Sequence, residues 1–163
     1  MAGRIRELKR TGPAIAALAA TLALVAAPAE AKPKVSVLGW TTQAGSSSPQ
    51  VKNKETIEQC FDSGLGQRNL YVVVRGKGIA KGTKVGIGVW GGPPSAGFSE
   101  EPSDADVKKG AFKWPSNNSY TTSYGYSFAT GPFGPTNIDG EWNAKVLVKG
   151  KQAAKGQVTV ACA

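Results

Sequence analysis

An all-β fold, an antiparallel β-sandwich of six to seven short strands, is what this sequence predicts. Three observations carry that expectation. Apolar residues alternate with period two in several short segments, as half-buried strands require. Glycine and proline punctuate the gaps between those segments, where chain reversals need them. No stretch shows a sustained 3.6-residue period, so helices are expected to be minor.

Val35 to Trp40 is an early, weaker strand candidate. Leu70, Val72 and Val74 share one face of the next strand, and Val85, Ile87 and Val89 share one face of the third. In that third strand Gly86, Gly88 and Trp90 fall on the opposite face. Tyr124, Tyr126 and Phe128 alternate with Gly125 and Ser127. Trp142, Ala144, Val146 and Val148 alternate with Asn143, Lys145 and Lys149, with Leu147 breaking the polar face. Val158, Val160 and Cys162 run in phase at the end, and the last two strands are expected to form a hairpin over the turn near Gly150. Between Gly91 and Gly110 lies the longest stretch without strand character, a length that usually carries function or disorder.

Before these elements comes a leader. Arg4, Arg6, Lys9 and Arg10 precede an apolar run from Ala14 to Ala27, and Ala29-Glu30-Ala31 supplies the small-x-small pattern of a signal-peptidase site. Residues 1–31 are therefore expected to be a cleaved signal peptide, bacterial in style, and residues 32–163 a single secreted, extracellular domain. The apolar run is short for a bilayer core of about 30 Å, so no membrane span is expected in the mature chain. That chain has 132 residues with sixteen basic against nine acidic, net +7, and only Arg68 and Arg75 among the basic residues are arginine. Two cysteines in an oxidising compartment are expected to pair, and a Cys60–Cys162 disulfide would close a loop of about 100 residues, contributing roughly 4–5 kcal/mol in the chain-entropy model.

The chain has no histidine, which removes the Ser-His-Asp triad, the usual general base and most catalytic zinc sites. Carboxylate pairs for glycoside hydrolysis would have to come from Glu55, Glu58, Asp62, Asp139, Glu141 or the cluster Glu100, Glu101, Asp104 and Asp106. That cluster reads as a solvated loop face, and nothing like a calcium-binding loop follows Asp104-Ala105-Asp106. The expectation is a non-enzyme with no catalytic residue, metal or cofactor. Gly76-x-Gly78-x-x-x-Gly82 has the wrong spacing for a dinucleotide fingerprint and leads into another alternating segment, so it reads as a hairpin turn. The lysines are spread over at least five segments, as solvation requires. Specific nucleic-acid recognition calls for more arginine and a localised patch, so no such partner is expected.

Asn69 to Val85, with its Gly76-Lys77-Gly78 turn and Gly82-Thr83 strand opening, resembles the second-to-third strand passage of bacterial secreted immunoglobulin-like β-sandwich modules. Gly140 to Val146, then Gly150, then Val158-Thr159-Val160, resembles their closing hairpin. The likeness implies an Ig-like fold, without the cross-sheet disulfide of antibody domains. The functional expectation is a non-enzymatic exported binding module for an extracellular glycan or anionic envelope polymer. Trp90, Trp114 and Tyr120 would stack on ligand, and Lys108, Lys109 and Lys113 would add attraction. Two alternatives stand beside it: a structural or protein–protein interaction domain using an exposed strand edge, and a carrier of small hydrophobic molecules, similar to antibiotic-carrier proteins.

Overall fold

A computed structural model describes residues 33–58, 67–129 and 138–161; residues 1–31, expected to be a leader, and Cys60, Asp62 and Cys162 lie outside the described residues. Among the described residues nine strands form two sheets. The first sheet contains β1 (Lys34–Thr41), β2 (Val51–Lys52), β4 (Gln67–Lys77) and β7 (Tyr120–Ala129), in the order β2-β1-β4-β7. The second contains β3 (Thr56–Glu58), β5 (Lys84–Gly91), β6 (Phe112–Lys113), β8 (Gly140–Val148) and β9 (Lys151–Ala161), in the order β3-β9-β8-β5-β6. The all-β expectation holds. The strand count exceeds six to seven because β2, β3 and β6 are two or three residues long, too short to show alternation. The second sheet is mixed rather than antiparallel, since β3 runs parallel to β9.

Inward-facing side chains of both sheets share one core. Leu70, Val72 and Val74 from β4 meet Val85, Ile87 and Val89 from β5, and Trp142, Ala144 and Val146 from β8. Trp40 and Trp142 are fully buried, and each finds a partner for its indole N–H, as buried tryptophans usually do. Trp40 Nε1 donates to the Gln157 carbonyl at 3.1 Å and Trp142 Nε1 to the Ile138 carbonyl at 2.7 Å. In β1 the register against β4 shifts between Val37 and Gly39. This bulge adds one residue, so Val35 and Val37 pack against the core and the next inward side chain is Trp40.

The turn after β4 crosses between the sheets. β4 pairs with β1 and β7, whereas β5 pairs with β6 and β8, so the glycine-rich stretch 76–82 is not the hairpin its composition predicted. Gly78 and Gly82 both take positive φ there. The β8–β9 hairpin is as expected, closing through Lys149 and Gly150 with φ of 51° and 76°. Both central residues in the left-handed region mark a two-residue type I′ turn, whose twist matches the strands it joins.

Residues 91–110 hold a single 3-10 turn (Pro94–Ala96) and a short helix, α1 (Asp104–Lys109). α1 lies on the outer face of β5. A Cβ at Gly86 would sit 2.6 Å from the Val107 carbonyl oxygen, and one at Gly88 would sit 2.8 Å from Val107 Cγ2. Only glycine lets the helix approach this closely, and Val107 is buried as a result. Among the described residues no helix is long and apolar enough to cross a membrane.

Two outcomes test this packing. Gly86→Ala should destabilise the protein by about 1–3 kcal/mol, the usual range for overpacking a filled site, read as a lower urea midpoint with an unchanged denaturant slope. The β3–β9 register also sets Glu58 beside Ala161, which brings the chain close to itself two residues before Cys60 and one before Cys162. The oxidised protein should therefore have the intact mass of a cystine, and reduction should cost about 2–5 kcal/mol of stability. Free thiols in the protein purified under oxidising conditions would sink the pairing.

Candidate functional site

The three aromatic residues predicted to stack on ligand do not form one platform. Trp90 sits half-buried on the outer face of β5, the face its phase predicted. Trp114 is only 1% exposed and belongs to the core. Its ring packs against Phe112 at 6.0 Å and edge-on to Tyr120 at 5.2 Å, with Gly76 opening the space beneath it. Trp114 offers no face to a ligand, because a large aromatic next to a glycine gap gains more from burial than from exposure. Tyr120, 37% exposed, lies at the start of β7 opposite Gly76. That is the other sheet and the other end of the molecule from Trp90, which pairs with Asn143 near the start of β8.

The glycine floor beside Trp90 is filled by α1, and the acidic cluster explains how. Lys145 projects from β8 onto the same outer face, where its side chain is only 4% exposed. Its ammonium group donates to Glu101 Oε1 at 3.0 Å and pairs with Asp104 Oδ1 at 2.9 Å. It also lies 5.9 Å from the centre of the Trp90 ring. Burial, the largest single influence on Lys145, would lower its pKa, yet its hydrogen bonds and charge pairing with Asp104 and Glu101 together raise it above the usual lysine value. Glu101 and Asp104 are thus a clamp on a buried lysine, while Glu100 and Asp106 lie on the exposed face the sequence predicted.

A second tie holds the helix itself. Ser103 caps α1, accepting from the Asp106 N–H at 3.2 Å and donating to Asp106 Oδ2 at 2.6 Å, a reciprocal arrangement of the capping-box kind. Lys109 pairs with Asp106 at 3.0 Å. The Ser103 bond, and then Lys109, hold the Asp106 carboxyl below its ordinary value. Asp139 pairs with Arg68 and Glu141 accepts from Asn143. Among the described residues no group of three or more acidic side chains is placed to hold a metal ion.

A lysine-rich end, invisible in the linear sequence, is the feature that topology creates. Lys34 pairs across the first sheet with Lys77, and Lys84 across the second with Lys113. Lys149 occupies the β8–β9 turn, its N–H donating to the Lys84 carbonyl at 3.1 Å, and Lys151 opens β9 opposite Val148. Lys81 lies in the crossing turn beside Asn117. Lys108 reaches down from α1 to lie over Gly150, where a Cβ would meet its Cε at 2.6 Å. The described ion pairs use none of these lysines. Glu55, Glu58, Asp139 and Glu141 lie around the far ends of β8 and β9, interspersed there with Lys52, Lys54 and Arg68.

Lys84, Lys108 and Lys149 line a cavity of about 580 Å3 completed by Thr83, Gly86, Ala111, Leu147 and Gly150. Leu147, the residue that breaks the polar alternation of β8, is its buried apolar wall. A smaller cavity, about 340 Å3, lies beside Phe98 and Tyr126 with Glu100 as its charged residue. Burial, and then the nearby Tyr124, push the Tyr126 phenol up.

Neither protein-family models nor curated proteins give a match to this chain. Among solved structures it is similar to a Pseudomonas fluorescens alkylpurine DNA glycosylase, AlkC, bound to DNA containing an abasic site analog. The two are 12% identical with a TM-score of 0.41, over 81% of this chain and 31% of that one. A likeness at that level assigns neither fold nor function.

Lys145→Ala should cost about 1–3 kcal/mol, the range for hydrogen bonds to charged groups, with Trp90 fluorescence shifted to the red as α1 loosens. Ser103→Ala should bring Asp106 back up toward 3.8 and remove about 1 kcal/mol of cap stability. Because Asp106 is lowered in the folded state, its contribution is complete above the unfolded value and fades as pH falls through the lowered one. A carboxyl titration by NMR that is identical in Ser103→Ala and the parent would contradict the capping role.

Proposed function

We propose that this chain is a non-enzymatic, exported binding module for an anionic polymer of the cell envelope, on an immunoglobulin-like scaffold. The observation that carries the reading is the convergence of lysines from β1, β4, β5, α1, β6 and the β8–β9 hairpin on one end, with none of them in a described ion pair. Like charges gathered without acids repel one another and lower stability, so such an end favours a partner that supplies the missing negative charge. The crossing of the chain between the two sheets and the closing β8–β9 hairpin support the Ig-like comparison. The leader-like composition of residues 1–31 and the presence of two cysteines support export. Trp90 is a weaker candidate for sugar stacking, since Lys145 is already placed over its ring.

The test is co-sedimentation of the purified protein with bacterial envelope material and with neutral and acidic insoluble polysaccharides, at low and high salt. Binding to the anionic materials should be clear at low salt and fall steeply by several hundred millimolar, as screening over about 10 Å or less predicts. Lys77, Lys81 and Lys113 changed together to Gln should weaken it, and Trp90→Ala should leave it intact. Binding that survives high salt but disappears in Trp90→Ala would replace this reading with aromatic stacking.

A further inference from the structure

We propose that the cavity between α1 and the β8–β9 hairpin is a site for one phosphate-bearing sugar unit; this deepens the anionic-polymer reading and rests on it. The lining has two characters. Lys84, Lys108 and Lys149 are exposed and cationic, while Leu147 is buried and apolar with Ala111 beside it. A volume of about 580 Å3 falls within the range of small-molecule sites, roughly 300–1,000 Å3, and exceeds what a bare phosphate requires. A pyranose has an uncharged C–H face to lay on half-buried Ala111 and on the lysine methylenes, and phosphates on its oxygens would meet the ammonium groups. Among the described residues no carboxylate lines the cavity to compete for them.

Lys149 also has an unusual backbone conformation. Lys149 has φ of 51°, one of two non-glycine residues with positive φ among those described. The first position of a type I′ turn ordinarily takes Asn, Asp or Gly, so lysine sits there against its conformational preference. Strain held at a cavity mouth is an expected mark of a working residue. Gly150 must likewise remain glycine, both for its φ of 76° and because Lys108 occupies the space a Cβ would take.

The experiment is an NMR titration of the backbone amides with glucose 1-phosphate, with glucose and inorganic phosphate as separate controls. Saturable shifts at Thr83, Gly86, Leu147 and Gly150 with glucose 1-phosphate, and smaller or absent shifts with either control, support the site. No saturable shift, shifts located elsewhere, or an equal response to inorganic phosphate overturns it. Lys149→Asn guards against misfolding, because Asn suits the left-handed turn and should hold or raise the melting temperature. Affinity for glucose 1-phosphate in this variant should fall about tenfold, and unchanged affinity counts against the site. Envelope binding without glucose 1-phosphate binding removes the cavity site and leaves the polymer reading standing. Glucose 1-phosphate binding without envelope binding supports the site and removes the polymer.

Discussion

β5 is buried on both faces, and the arrangement of everything around it follows from how that is achieved. Val85, Ile87 and Val89 enter the core, while Gly86 and Gly88 leave a groove on the outside that Val107 fills. A strand of alternating valine-like residues and glycine is poor as an isolated strand, since glycine packs nothing and loses more backbone entropy. The helix repays this by covering the groove. Its position in turn lays Lys108 over Gly150 and brings Asp104 to Lys145. One strand's alternation therefore determines where the helix docks and the shape of the lysine-lined cavity.

The charges are divided between two tasks. Lys145 is nearly enclosed and held by two half-exposed carboxylates, so its charge fastens α1 to the sheet and is unavailable to a partner. A buried cation without such partners would be expelled or neutralised. At the strand ends the lysines are exposed and without described ion pairs. The sheets fix their spacing through the Lys34–Lys77 and Lys84–Lys113 pairings. Like charges directly opposite one another destabilise a sheet, and the stability comes instead from the core that β4, β5 and β8 share.

Much of the fold was legible because period-two alternation reports one-sided burial directly. Leu70, Val72 and Val74, and Trp142, Ala144 and Val146, lie where their phase puts them. Three features were not legible, each for a physical reason. The β1 bulge shifts phase by one residue, which weakens the alternation that would announce the strand. Turn composition at 76–82 specifies a reversal but not which sheet receives the next strand. The lysine end is assembled from positions far apart in sequence, so spacing alone reads it as scattered solvation. Leu147 was the available signal, an apolar residue where a polar one belonged, and it marks the cavity wall.

The aromatic residues bear on why the proposed binding rests on charge rather than on stacking. Phe98 lies 4.4 Å from Tyr126 and 5.6 Å from Phe128, and Phe128 lies 5.3 Å from Trp142. This cluster packs at the Gly91 end of β5, opposite the lysines. Trp114, Phe112 and Tyr120 form a second cluster nearer the lysine end. Both are used in closing the open side between β5 and β7, where a ring buried against other rings stabilises more than one left facing water. Trp90 remains on the surface, and there Lys145 is already placed over it. A flat neutral sugar seeking a free indole would have to compete with a cation that two carboxylates hold in place. An anionic one meets lysines whose charges no described ion pair satisfies.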